Sequence, residues 1–333
     1  MGGDDAPLAP VEGAVHASMH NGIPVLLVGD EKLINAQIES IGEDVPDITV
    51  KHAPEVIGMR DGAVASMKSK PENSIKKCFD ALVSGEAQAL FSAGNTGAVL
   101  AGSVMFSGRM KGIDRPAVLA TLPAVEGEFV FIDAGANTAC RARHMVQFAM
   151  MGAAYAKEIM GGEVPRVGLL SNGTEESKGT EIQKKAREKI KSIEGIEFVG
   201  FVEGDEIMHC DVDVVVTDGF TGNLVLKTIE GVGEFMVEGL ADLFHRGALD
   251  FIGKAILRDR IEKLRNRVDY AQYGGAPLVG VNHPCVVGHG RSSAAAISNG
   301  IKLAAQFATC GYNRKLECAL RTNSLKSPEE VKS

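Results

Sequence analysis

Short apolar runs alternate with longer amphipathic stretches along most of the chain. Candidate strands lie at Ile23–Val28, Ile48–His52, Gln88–Ser92, Ala117–Thr121, Phe129–Asp133, Arg166–Ser171, Glu197–Phe201 and Asp211–Thr217. Several are apolar at consecutive positions, most clearly Val212, Val214, Val215 and Val216. A strand apolar on both faces belongs in a sheet covered by helices on both sides. Between the strands the apolar period lengthens to that of a helix. Met145, Ala149, Gly152, Ala153, Ala156 and Met160 share one helical face, and Ile182, Ala186, Ile190 and Ile193 share another. This alternation predicts an α/β fold with a doubly wound, mostly parallel sheet.

A different pattern begins at Gly222 and continues to about Arg267. Leu240, Leu243, Phe244, Ala248, Phe251, Ile252, Ala255 and Ile256 form one apolar stripe, interrupted by Gly247 and Gly253. The stripe predicts amphipathic helices over about 240–267, projecting as a hairpin and suited to a membrane surface or a second subunit rather than plain core. With no Pro/Ser linker and no repeat, residues 1–320 read as a single unit and 321–333 as a polar, frayed tail.

Composition narrows the function classes. Glycine numbers 39 of 333 residues, aromatics make up 5% and tryptophan is absent, which suits many tight strand-to-helix turns. A net charge of −8 argues against nucleic-acid binding. Between Arg246 and Arg267, however, seven basic residues face three acidic ones, so an anionic partner or membrane has a place to dock. No stretch approaches the ~20 apolar residues of a membrane span. Gly2, Gly3, Asp4 and Asp5 directly after Met1 are unlike a secretory leader, and six scattered cysteines read as reduced thiols; the expected location is cytoplasmic.

The chemistry concentrates in four glycine-rich turns at the carboxyl ends of strands: Ser92–Gly97, Asp133–Asn137, Asn172–Gly179 and Asp218–Asn223, with Lys227 one helical turn further on. Ligands of open α/β sheets bind at such ends, and all four turns are expected at one sheet edge. Exposed N–H groups at helix starts favour anions. Asn95, Asn137 and Asn223 add neutral donors, Thr96 and Thr174 add hydroxyls, and Lys178 adds a mobile charge. Any one turn is explained as well by helix capping, which uses the same residue types; four together favour a phosphate site. The chain has no nucleotide P-loop, dinucleotide glycine fingerprint, nucleophile elbow or metal-ligand cluster, so no metal or other cofactor is expected. What remains is chemistry by anion positioning and hydrogen-bond donation.

Met1-Gly2-Gly3-Asp4, Ser92–Ala98, Asn172–Glu176, Asp218–Asn223, Tyr273–Pro277 and Gly288-His289-Gly290 occur in the order and spacing of the bacterial phosphate acyltransferases, and the chain resembles that family from Met1 to about Ala308. The resemblance implies a fold similar to phosphotransacetylases and isocitrate-type dehydrogenases, and a homodimer. It implies transfer of a long-chain acyl group from acyl carrier protein to inorganic phosphate. The acyl phosphate would pass to a membrane glycerol-3-phosphate acyltransferase for phospholipid synthesis, with the enzyme in peripheral contact with the membrane. On this reading Lys178 and Asn223 are catalytic, Lys178 for the phosphate charge and Asn223 for the thioester oxygen. Gly94, Asn95, Thr96, Gly97 and Asn137 form the phosphate cradle, with Thr174, Lys227 and His289 as further contacts; His289 could equally be a packed core histidine.

Two positions depart from the family pattern. The family has a β-strand ahead of the Met-Gly-Gly-Asp motif, so either the start lies upstream or the sheet lacks a strand, leaving Gly2, Gly3 and Asp4 poorly anchored. Ala139 stands where the family has an acid. Competing readings are a phosphotransacetylase using acyl-coenzyme A, an isocitrate-type oxidoreductase, which the missing carboxylate cluster disfavours, and a non-catalytic scaffold, which Lys178 and Asn223 disfavour.

Overall fold

The computed structural model describes residues 2–42, 47–161, 163–209, 211–242 and 274–324. The helical hairpin expected beyond Asp242, including the basic segment Arg246–Arg267, lies outside these residues.

The strands are β1 (Val25–Gly29), β2 (Ile48–His52), β3 (Leu90–Ser92), β4 (Ala117–Pro123), β5 (Glu128–Ile132), β6 (Arg166–Leu170), β7 (Glu197–Val202), β8 (Val214–Val216), β9 (Ala276–Val279) and β10 (Cys285–Val287). The helices are α1 (Leu8–Asn21), α2 (Glu31–Ile41), α3 (Ala63–Ser69), α4 (Ser74–Val83), α5 (Thr96–Gly102), α6 (Ala142–Tyr155), α7 (Glu181–Ile190), α8 (Gly219–Asp242), α9 (Ala294–Thr309) and α10 (Tyr312–Ser324). The two short strands β9 and β10 escape the sequence pattern, because three or four apolar residues carry too little periodicity. Residues 321–324, expected in a frayed tail, are helical. Helix α10 continues to Ser324, with Arg321 paired to Glu317 and Asn323 Oδ1 accepting from Glu194 N.

Strands β3-β10-β9-β4-β5-β8-β6-β7 form one sheet, in that order, while β1 and β2 form a separate parallel pair. The large sheet contains two parallel blocks, β3/β10 and β5/β8/β6/β7, joined through antiparallel β9 and β4. Following the pairings across, the two blocks run in opposite directions. The expectation that all four turns share one edge is therefore corrected: the turn after β3 lies at one edge, and those after β5, β6 and β8 at the other. Sequence alternation reveals that strands are buried, but direction is set by which neighbours pair.

The core confirms burial on both faces of the central strands. Val214, Val215 and Val216 are fully buried, as are Phe131 and Ile132 on the adjacent strand. On one face they meet Met145, Ala149 and Ala153 of α6; on the other they meet Leu170, Val202 and Leu226. Each of the larger side chains, valine and above, contributes roughly 1.5–3 kcal/mol on burial. In α7, Ala186 and Ile190 are buried as the periodicity requires, but Ile182 is exposed at the first turn.

Between β1 and β3 lies a gap of about 540 Å³, lined by both strands and by Ile297, Ile301 and Ala304 of α9. Among the described residues β1 pairs only with β2, and β3 only with β10, so neither has a strand partner on the side facing this gap. The residues next to it are nevertheless anchored, contrary to expectation. Asp4 N donates to Gly290 O at 2.9 Å, and Gly3 sits so close to Ala93 O and Gly290 O that a Cβ would lie 3.3 Å from each.

Candidate active site

Two of the four turns have different internal chemistry from what their composition suggests. Asp133, directly after β5, is fully buried. Its Oδ1 accepts from Val118 N at 3.0 Å, Gly135 N at 3.2 Å and Ala136 N at 2.9 Å, while Oδ2 accepts from Asn137 N and Asn137 Nδ2, each at 2.8 Å. Burial pushes its carboxyl up, against the pull of these donors. The second amide proton of Asn137 goes to Pro116 O at 2.7 Å. The N–H groups of Gly135, Ala136 and Asn137, and both side-chain protons of Asn137, are therefore turned inward. This turn is a closed support, with its donors committed before any anion arrives.

The turn after β3 is similarly committed at one residue. Asn95 is buried, its Oδ1 caps α5 by accepting from Ala98 N at 2.9 Å, and its Nδ2 donates to Gly58 O at 2.9 Å and Asp61 O at 3.1 Å. The capping role weighed in the sequence is realised here. Thr96 and Gly97, at the start of α5, are exposed.

The turn after β6 is open. Arg187 of α7, itself buried, pairs with Glu176 and donates to its carbonyl at 3.3 Å, and Asn172 Oδ1 accepts from Gly179 N at 3.1 Å. Held at these points, the turn presents Thr174 and Lys178 to solvent. Lys178 Nζ lies 4.0 Å from Glu175, its one ion-pair partner among the described residues, and its stem packs against Gly173. The ammonium is free to meet an incoming anion.

Helix α8 connects these features to the opposite edge. Asn223 and Lys227 are spaced i,i+4 and lie on one helical face. Asn223 is exposed and rests on Gly135, where a Cβ would come within 3.3 Å of Asn223 Cβ. Gly135 has φ +145°, a conformation that also favours glycine. Lys227 Nζ contacts Glu230 Oε2 at 2.6 Å, and Glu230 Oε1 is buried without a hydrogen-bond partner. The charge of Lys227 reaches His289 in the turn after β10, where His289 Nδ1 accepts from Arg291 N at 3.3 Å. Burial first, then the charges of Lys227 and Arg291, push the imidazole below its ordinary range. It is therefore neutral at pH 7 with its proton on Nε2, a donor in a part-buried turn. The sequence singled out Lys227 and His289 separately; Glu230, Arg291 and the backbone of Asp4 escaped notice because their proximity arises from distant segments.

The arrangement brings Asn223, Lys227 and His289 into one region, with Gly94 beside Gly2 and Gly3 at its rim. Lys178 occupies the end of β6, next to β8 in the sheet. Cys140, near Asp133, has its thiol pushed up to about 11 by burial and then by the Asp133 charge, so it is not an activated nucleophile. Among the described residues no three His, Cys, Asp or Glu side chains assemble as a metal site. The geometry offers cations and neutral donors, suited to holding an anion and stabilising a developing oxyanion.

Comparison with known proteins agrees with this chemistry. The model of the fatty acid synthesis protein family matches residues 1–315. A phosphate acyltransferase of Geotalea uraniireducens is 43% identical over 323 residues, covering 97% of this chain and 93% of that protein. One from Geobacter sulfurreducens is 42% identical over 322 residues, with the same coverage. Among solved structures, a phosphotransacetylase from Streptococcus pyogenes superposes with a TM-score of 0.61 at 16% identity, covering 93% of this chain and 92% of its own. The EutD phosphotransacetylase from Staphylococcus aureus gives 0.58 at 15% identity, covering 90% and 91%. These two similarities concern the fold, and they bear out the predicted fold class.

Proposed function

The chain belongs to the fatty acid synthesis protein family, in company with phosphate acyltransferases more than 40% identical to it, and from that premise we propose that it transfers a long-chain acyl group from acyl carrier protein to inorganic phosphate. It is an acyltransferase of lipid synthesis, and its acyl phosphate product would be consumed by a membrane acyltransferase making phosphatidic acid.

The observation that carries the site assignment is the face of α8: an exposed amide at Asn223 and an ammonium at Lys227, one turn apart, with neutral His289 in range of that charge. Phosphate is already an oxyanion, so the reaction requires no enzyme nucleophile. A phosphate oxygen attacks the thioester carbon, the carbonyl oxygen gains charge in the tetrahedral intermediate, and the C–S bond then breaks. The departing sulfur takes up the proton that the phosphate gives up. Lys178 neutralises the phosphate, Asn223 donates to the developing oxyanion, and Lys227 and His289 hold the anion from the other side. Exposed Thr174, in the turn of Lys178, would add to the cradle from that edge, and Gly94, Thr96 and Gly97 would face it from the turn after β3 at the opposite edge. Asn95 and Asn137 support it from behind, since their amides are committed to protein acceptors. Orienting two bound reactants and stabilising the intermediate are sufficient for large accelerations.

A homodimer fits the surface of α8. Phe220, Leu224, Val232, Phe235 and Met236 are each more than half exposed, an unusual density of large apolar groups. No described helix is long and apolar enough to cross a membrane; peripheral contact through the segment beyond Asp242 is part of the proposal.

The test is direct. Purified protein given phosphate and palmitoyl-acyl carrier protein should release free carrier protein and form palmitoyl phosphate. Turnover with acyl-coenzyme A but none with the carrier protein would overturn the donor assignment and leave a phosphotransacetylase.

A further inference from the structure

We propose that Asp133 is a positioning residue for acyl transfer: its buried carboxylate holds the 133–137 turn closed beneath the first turn of α8 and thereby sets where Asn223 presents its amide. The proposal rests on the reading of Asn223 given above and extends it to a residue that meets no substrate.

A carboxylate removed from water requires compensation, and an unpaired one is strongly destabilising. Among the described residues Asp133 has no cationic partner; five N–H donors do the work instead, three on Oδ1 and two on Oδ2. Four of the five come from the turn itself, at Gly135, Ala136 and Asn137, so the carboxylate dictates the path of the backbone there. The fifth, from Val118 of β4, ties that turn to the sheet. Charge-assisted hydrogen bonds of this kind are stronger than neutral ones, and together they leave the turn little freedom.

The same turn is the surface on which α8 begins. Gly219 N donates to Asn137 O at 2.8 Å. A Cβ at Gly219 would lie 2.6 Å from Asn137 N, and one at Gly222 would lie 1.9 Å from Asp133 O. Both glycines exist because backbone meets backbone at this junction. Directly after Gly222 comes Asn223, whose side chain makes no hydrogen bond among the described residues and lies against Gly135. Its location is thus set by two surfaces, the start of α8 and the floor at Gly135, and Asp133 shapes both. A rigid support for an otherwise untethered donor is what preorganisation of an oxyanion contact requires.

The experiment is a mutant cycle on turnover, using phosphate with palmitoyl-acyl carrier protein or palmitoyl-coenzyme A, whichever donor the unaltered protein accepts. Asp133→Asn keeps the shape but places an NH₂ group against N–H donors. It should lower kcat at least tenfold while leaving KM for phosphate and for the acyl donor within twofold, in a protein whose circular dichroism is unchanged. In an Asn223→Ala background the same substitution should cost less than twofold further, because the residue it acts through is gone. Equal losses in the two backgrounds, or an Asp133→Asn protein with unaltered kcat, would overturn the proposal. Should Asp133→Asn not fold, Asn137→Ala, which removes one of the five donors and the tether to Pro116 O without removing the acid, takes its place with the same expected dependence on Asn223. The underlying reading fails separately: Asn223→Ala with unaltered kcat removes Asn223 from the reaction, and this proposal with it.

Discussion

Two turns that both carry glycine and asparagine at a strand end perform opposite tasks in this molecule. Asp133–Asn137 and Asn172–Gly179 both follow parallel strands flanking β8, and both carry glycine and asparagine, the second with Glu175, Glu176 and Lys178 besides. In the first, a buried acid at the strand end collects every nearby donor. In the second, the corresponding strand is followed by Ser171, which has no charge to collect donors, and the turn is braced from outside by Arg187 through Glu176. Lys178 remains free. The difference teaches that glycine and asparagine indicate a tight turn, whereas a buried acceptor decides whether its donors face inward or toward a ligand.

The largest expected effect falls on the open turn. Lys178→Ala should reduce turnover by about 10²–10³-fold, the usual scale for losing one transition-state contact. Its melting temperature should be unchanged, since the ammonium makes one 4.0 Å contact. A fall in stability without loss of turnover would make the two turns alike and break the comparison.

The same substitution, placed against the first turn and within the second, comes next. Gly222→Ala sets a methyl group 1.9 Å from the Asp133 carbonyl, where backbone cannot move aside. A cost of about 3 kcal/mol is expected, or roughly 4–5 °C in thermal unfolding. Gly173→Ala sets the methyl 2.6 Å from Lys178 Cγ, part of a flexible side chain that can swing away. Little stability should be lost there, but turnover should fall as the ammonium is displaced. Unfolding curves and steady-state rates on both variants measure the contrast.

Asn95→Ala removes a helix cap and the tethers to Gly58 and Asp61. About 1–2 kcal/mol of stability should be lost in urea unfolding. The smallest effect concerns His289. Its folded acidity is shifted downward from 6.5, so the unfolded chain takes up the proton first as pH falls. The contribution is therefore intact above pH 6.5 and lost as pH falls from there toward the lower folded value. His289→Gln should flatten this limb of a stability–pH curve by on the order of 1 °C.

The legible part of the site was its residue types at strand ends. Lys178, Asn223, Lys227 and His289 could each be singled out because they sit in glycine-rich turns or one helical turn beyond. Which amides are spent was not legible. Asn95 and Asn223 look alike in sequence, yet one is buried with its amide bonded to two loop carbonyls and the other is exposed. Their fates depend on Gly58 and Asp61 in one case and Gly135 in the other, none adjacent in the chain.

By itself, the sequence determined the α/β class, the helical faces and the motifs that mark the family. These depend on local periodicity and residue chemistry, which act over a few residues. Tertiary structure alone decided the opposed directions of the two parallel blocks, the inward-facing donors around Asp133 and the meeting of α8 with the turn at His289. Each of these follows from which distant backbone groups find one another, since a buried polar group must be paired wherever its partner lies along the chain.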